Sequence, residues 1–270
     1  MPNHTQRFSN RVKNYIKYRP SYPLAVLEYL EVEHSLTKNQ LIADIGSGTG
    51  ILTELFLNRG YNVVAIEPND PMREAAESLL RGYSNFNSIN GAAEATKLTS
   101  ISQDWVVVAQ AFHWFEPRLS KLEFQRILKP GGKAALIWNE RLMNNPFLKA
   151  YEAFLHEHST DYGKSVHRNF DMADFNAFFA PFNFHFVSFP NQQFFNREAL
   201  LGRYLSSSYA YTSDHPKFEL ARKELFKIFD QFAVESEVSF NYATQVYVGQ
   251  LRACWDFCFL ITSHLRTCRH

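Results

Sequence analysis

One stretch constrains the rest of the chain: Leu41-Ile42-Ala43-Asp44-Ile45 running into Gly46-Ser47-Gly48-Thr49-Gly50. The apolar run reads as a buried strand. The glycines turn the backbone sharply and leave no Cβ where a ligand would approach. Ile51, Leu52, Leu55 and Phe56 then predict a helix from about Thr49 to Asn58, and Gly60 suits its C-terminal cap. A second strand, Asn62–Glu67, ends on a carboxylate. Strand, glycine turn, helix and a strand with a terminal acid is the way a parallel α/β sheet holds a nucleoside.

The spacing narrows the nucleoside. A dinucleotide loop requires G-x-G-x-x-G/A; Gly46 and Gly48 fit, but Ile51 stands at the third position and Gly50 comes one residue early. No Gly-Lys-Ser/Thr follows, which excludes a phosphate-binding P-loop. The pattern D-x-G-x-G-x-G over Asp44–Gly50 instead resembles motif I of the class I S-adenosylmethionine-dependent methyltransferases. The resemblance implies a cofactor loop of Asp44, Gly46, Ser47, Gly48 and Gly50. Glu67 is placed to accept hydrogen bonds from both ribose hydroxyls. Free N–H groups at the helix start near Thr49 suit the methionine carboxylate, directly or through water.

Later segments carry the same resemblance. Ala93 and Glu94 follow the third strand at the family position that meets adenine, and Met72 is placed to pack on the adenine face or in the helix core. Gln110-Ala111-Phe112-His113-Trp114-Phe115 is similar to a small-molecule subgroup related to trans-aconitate methyltransferases. That likeness puts Gln110 near the sulfonium region and Trp114 against the methyl donor and substrate, an aromatic face favouring a cationic sulfur. His113 is the candidate catalytic base, with a structural hydrogen bond as the alternative. Tyr15 to Pro20 resembles the subgroup's Y-x-x-x-R-P segment that folds over the cofactor. Arg19 would pair there with the cofactor carboxylate or an acidic substrate, or lie at the surface. Tyr209, in the string from Arg203, lies where the family builds its substrate cap.

The remaining pattern fits an α/β, Rossmann-like doubly wound sheet, mostly parallel. Further strands are predicted at Phe86–Asn90, Asp104–Gln110 and Lys133–Trp138. Leu24, Leu27 and Leu30 mark one face of an early helix. Asp70-Pro71 caps and opens another, carrying Met72, Ala75, Ala76, Leu79 and Leu80. A third begins at Pro117 with Leu119, Leu122, Ile127 and Leu128. Phe182–Phe189 and Val238–Val248 resemble the closing antiparallel strand pair, with helices between them at about 196–206 and 214–233. Residues 1–270 read as one domain with an N-terminal lid over about 1–23 and a helical cap insertion over about 140–215. Ten of 25 phenylalanines fall between Phe170 and Phe195, a thick apolar layer that hints at a partly apolar acceptor or serves the core. The apolar tail after Gly249 is expected to be a core helix or an oligomer contact.

A net charge of +1 offers no electrostatic case for nucleic acid or a membrane surface. No run reaches the ~20 apolar residues of a membrane span, and none follows Met1 as a signal peptide would require. The expected location is therefore cytoplasmic. Cys254, Cys258 and Cys268, with His264 and His270, are better read as packed thiols than as a metal cluster, so no metal is expected. The implied function is S-adenosylmethionine-dependent methylation of a small-molecule acceptor by in-line displacement, by a monomer or homodimer. The alternatives are methylation of RNA or protein, a cofactor-binding regulator without catalysis, and a dehydrogenase. The misplaced third glycine tells against the last.

Overall fold

A computed structural model describes residues 11–160, 162 and 170–253. Seven strands form one sheet in the order β3-β2-β1-β4-β5-β7-β6. They are β1 (Leu41–Ile45), β2 (Asn62–Ile66), β3 (Phe86–Ile89), β4 (Gln103–Ala109), β5 (Leu128–Arg141), β6 (Phe184–Phe195) and β7 (Val238–Gln250). The first five pair in parallel. β7 runs antiparallel to both β5 and β6 and so forms the expected closing pair. This is a Rossmann-like doubly wound sheet, with the crevice at the carboxyl ends of β1, β2 and β4.

Nine α-helices are described: α1 (Val12–Tyr18), α2 (Leu24–His34), α3 (Ile51–Asn58), α4 (Asp70–Leu80), α5 (Pro117–Ile127), α6 (Pro146–Glu157), α7 (Met172–Phe179), α8 (Arg197–Leu205) and α9 (Phe218–Phe232). One sheet face buries Ile42, Trp105 and Val107 against Leu27 and Leu30 of α2 and Phe56 of α3. The other buries Val106, Val108 and Leu136 against Phe124 of α5 and Phe175, Phe178 and Phe179 of α7. A third cluster joins Leu148 and Tyr151 of α6, Tyr204 of α8 and Leu225 of α9 to Phe240 and Tyr242 at the start of β7. Each fully buried Leu or Phe contributes about 1.5–3 kcal/mol, against under about 1 kcal/mol for an exposed pair such as Arg222–Glu219. The faces hold this fold together.

Several expectations shift. Leu24, Leu79, Leu119 and Leu122 lie at the rims of their helices, 45–54% exposed. The cap of α4 is Asn69, whose side chain accepts from the Met72 N–H at 3.0 Å; Asp70 is already helical. β6 continues six residues past Phe189 because it pairs with β7 as far as Phe195–Val238. Phe175, Phe178 and Phe179 pack on the sheet, while Phe186 and Phe194 stay exposed. Among the described residues no helix is long and apolar enough to cross a membrane, and no His/Cys/Asp/Glu group is placed to hold a metal. The cysteine and histidine candidates at 254–270 lie outside the described residues, as does the tail helix.

Candidate functional site

The β1–α3 loop is built on three left-handed glycines, with φ of 71°, 58° and 83° at Gly46, Gly48 and Gly50. At Gly46 a Cβ would lie 2.6 Å from Ala111 Cβ, so only glycine lets the segment after β4 close against the loop. Gly50 lies outside the cavities described below; its added Cβ would meet Leu80 of α4 at 2.7 Å. It serves the turn and the packing of α3 on α4.

Glu67 stands just past β2 and is 9% exposed. Its Oε2 accepts from the Gly48 N–H at 2.9 Å and its Oε1 from the Asn69 N–H at 2.8 Å. The carboxylate thus staples the glycine loop to the β2–α4 turn. Each oxygen keeps a lone pair for a hydroxyl. Burial raises its pKa, opposed by these two hydrogen bonds and by Arg73.

A cavity of about 230 Å³ opens over this staple. Gly46, Gly48, Glu67, Met72, Ala93 and Glu94 line it. Gln110, His113 and Trp114 join them from the segment after β4. Tyr15 and Arg19 arrive from α1 and its exit, and Tyr209 from beyond α8. Asp44 and Ser47 line a smaller adjoining cavity that shares Tyr15, Gly46 and Gly48. The fold therefore gathers the sequence candidates, Gly50 apart, around one crevice.

Local geometry fixes several of them. Gln110 has φ of 54°, left-handed for a non-glycine residue, and its Nε2 donates to the Asn139 carbonyl at 3.1 Å. Such strain is found where surrounding structure over-determines a side chain. His113 and Trp114 share a single 3₁₀ turn, Phe112–Trp114, with their rings 4.6 Å apart. Glu94 accepts from the Glu116 N–H at 2.8 Å, tying this part of the cavity to the start of α5. Arg19 sits 5.0 Å over the Tyr15 ring.

Asp44 is 1% exposed and accepts from Thr53 Oγ1 at 2.6 Å. Burial pushes its pKa up to about 7, the Thr53 bond opposing. The folded chain therefore holds one more proton than the unfolded chain between pH 3.8 and about 7. That contribution to stability is complete below pH 3.8 and is lost as pH rises to 7. Relative to Asp44→Asn, wild type should lose roughly 3 kcal/mol between about pH 5 and 8. Urea denaturation of both proteins at the two pH values checks this; parallel pH dependence would refute it.

The string Arg203–Tyr209, singled out in the sequence for its hydroxyls, brings Ser208 to this cavity and Arg203 to a neighbouring one; sequence reasoning missed Asn69 in the first, and Arg141 and Tyr242 in the second. Asn69 had a signal, a capping side chain two residues before Pro71. The others come together only through tertiary packing.

Residues 43–136 match the sequence model of a family described as a methyltransferase domain. An uncharacterized methyltransferase of Mycobacterium tuberculosis is 37% identical over 134 residues, covering 50% of this chain and 52% of that protein. An uncharacterized methyltransferase-like protein of Schizosaccharomyces pombe is 30% identical over 155 residues, 57% of this chain and 59% of its own length. The chain thus spans about half the length of the curated relatives it matches. Among solved structures, a proposed methyltransferase of an antibiotic biosynthesis pathway from Anabaena variabilis superposes with a TM-score of 0.59 at 18% identity, over 87% of this chain and 99% of that one. A proposed type II methyltransferase from Anaeromyxobacter dehalogenans gives 0.58 at 17% identity, with the same coverage. These two establish the fold.

Proposed function

We propose that this chain is a class I methyltransferase, a reading supported by the match of residues 43–136 to a methyltransferase-domain model, and that it binds S-adenosylmethionine and passes its methyl group to a small-molecule acceptor. The observation that carries the reading is the Glu67 carboxylate, stapled to the Gly48 and Asn69 N–H groups at the mouth of the glycine loop. The carboxylate offers two acceptor oxygens to a ribose at the end of β2. Met72 and Ala93, both buried, supply the apolar slot for adenine. Glu94 at that end accepts from the exocyclic amine. Tyr15 and Gln110 hold the amino-acid end.

When bound, the cofactor would supply an electrophilic methyl on a sulfonium, the acceptor bonding to the methyl carbon in line as the S–C bond breaks and the neutral thioether, S-adenosylhomocysteine, leaves. The chain's own part is orientation and exclusion of water. Trp114 gives the positive sulfur an aromatic wall. His113, on the same turn, is available to take a proton from an acceptor hydroxyl or thiol near neutral pH. With a net charge of +1, small molecules fit better than RNA as acceptors.

Calorimetric titration with S-adenosylhomocysteine, with NADH as control, tests the cofactor. We expect micromolar affinity for the first and no heat from the second. Binding of NADH alone would return the fold to dinucleotide chemistry.

A further inference from the structure

A second cavity, of about 640 Å³, adjoins the first along Tyr15, Arg19, Gln110 and Tyr209. Three guanidinium groups line it: Arg19 after α1, Arg141 at the end of β5 and Arg203 in α8. The Nε–H of each is buried without a hydrogen-bond partner among the described residues. Buried donors are rarely left so, and three around one cavity point to an absent acceptor of hydrogen bonds.

The charges are unequal in their compensation. Arg141 pairs with Glu152, and Tyr162 donates to the same carboxylate at 2.8 Å. Glu140 also lines the cavity; burial raises its pKa, with Arg141 opposing and Glu152 adding. Asp171, at the cavity edge, accepts from the Ala173 and Asp174 N–H groups at the start of α7. Arg19 and Arg203 form no ion pair among the described residues. Their partners are neutral and shared. Arg19 Nη2 donates to the Ser206 carbonyl at 3.0 Å, and Arg203 Nη1 lies 3.3 Å from Ser206 Oγ and 3.2 Å from Ser207 Oγ. Burial and then the Arg203 charge push the Arg19 pKa below its ordinary value, as expected of two like charges held together. Arg203 is 6% exposed. Two cations withdrawn from water without a counter-ion are costly, and a bound anion offsets that cost.

We propose that Arg203 and Arg19 anchor an oxyanion carried by the methyl acceptor, set back from the atom that is methylated. This rests on the methyltransferase reading of the first cavity. Arg203 lines only the second cavity, so the group it holds stands away from the methyl donor. A carboxylate clasped by two guanidinium groups also has its lone pairs engaged and is a poor nucleophile. The acceptor is then a small organic acid or phosphate ester whose hydroxyl, amine or thiol reaches past Gln110 and Tyr209. The planar guanidinium fork fits both carboxylate and phosphate.

The test is fluorescence of the full chain saturated with S-adenosylhomocysteine, Trp138 in the cavity wall being the reporter. The protein is titrated at fixed ionic strength with succinate, inorganic phosphate and uncharged succinamide. At least one anion should saturate at concentrations tenfold or more below any effect of succinamide, and the tighter one identifies carboxylate or phosphate. Arg203→Gln should weaken that anion tenfold or more and leave S-adenosylhomocysteine affinity within twofold; Arg203→Lys should retain part of the binding. The anchor is refuted if the anions do no better than succinamide, or if Arg203→Gln binds them as wild type does. Should a variant not fold, the wild-type comparison of charged and uncharged ligands decides. Should S-adenosylhomocysteine fail to bind wild type, the cofactor reading falls, and anion titration of the unliganded chain still judges the anchor.

Discussion

Glu67→Ala should weaken S-adenosylhomocysteine binding at least a hundredfold while leaving the unliganded chain nearly as stable as wild type. Two hydrogen bonds from ribose hydroxyls to a charged acceptor are worth about 1.5–3 kcal/mol each, and 1.4 kcal/mol is about a tenfold change in affinity. The variant also loses the staple between Gly48 and Asn69, so the loop pays ordering entropy on binding. Stability changes less because two terms oppose. Two backbone N–H groups lose an acceptor, but a buried carboxylate with a raised pKa is removed. Glu67→Gln sharpens the test. Both staple partners are donors, and an amide offers one acceptor oxygen, so its NH₂ must face an N–H. Affinity should fall tenfold or more for this near-isosteric change. Calorimetry with paired urea denaturation reads both quantities. Unaltered affinity in either variant removes Glu67 from the cofactor site.

Gly202→Ala should detach the lid. Gly202 lies inside α8, and a Cβ there would sit 1.9 Å from Tyr18 Cε2. The α1 helix has no fully buried side chain of its own. It is fastened to α8 by that ring contact, by Arg11 donating to the Leu205 and Ala210 carbonyls at 3.0 and 2.7 Å, and by Arg19 to the Ser206 carbonyl. Alanine stabilises a helix interior by about 1 kcal/mol over glycine, so α8 itself gains. The cost falls on α1, which carries Tyr15 and Arg19 into the first cavity, the proposed cofactor site. We expect a tenfold or greater loss of S-adenosylhomocysteine affinity, rapid amide exchange confined to α1, and an almost unchanged denaturation midpoint. Full affinity with α1 still protected from exchange would show that the lid accommodates the methyl and plays no part in binding.

The sheet was legible because its strands are chemically distinct. Trp105–Val108 is a continuous apolar run and Val238–Val248 alternates, and these periods separate central parallel strands from a closing pair. Helix faces were legible in direction but not in width. Leu119 and Leu122 keep the period of α5, yet lie beyond what the sheet covers. The glycine loop and Glu67 could be read because their chemistry is local, one turn and one strand end. The neighbourhood of Arg203 with Arg19 could not. It depends on α1 packing against α8, from opposite ends of the chain. Gly202 did carry a signal, a glycine inside a helical pattern, which often marks close approach of another element.

β7 belongs to three cores at once, Tyr247 facing the side of the sheet opposite Val246 and Val248. Its first residues, Phe240 and Tyr242, pack among α6, α8 and α9, while Val246 and Val248 pack under the sheet. Between them the ladder to β5 is unbroken from Arg141–Tyr242 to Lys133–Gln250. A strand repeats its side chains with a period of two, so a slip of one residue would turn Tyr242 out of the cap and Val246 out of the sheet together. The cap cannot be swapped as a module in protein engineering unless the graft keeps this register. Re-targeting the proposed acceptor pocket is a task for single side-chain exchanges along a fixed backbone, and a library built on loop or domain exchange at 140–215 would spend most of its members on chains that fail to fold.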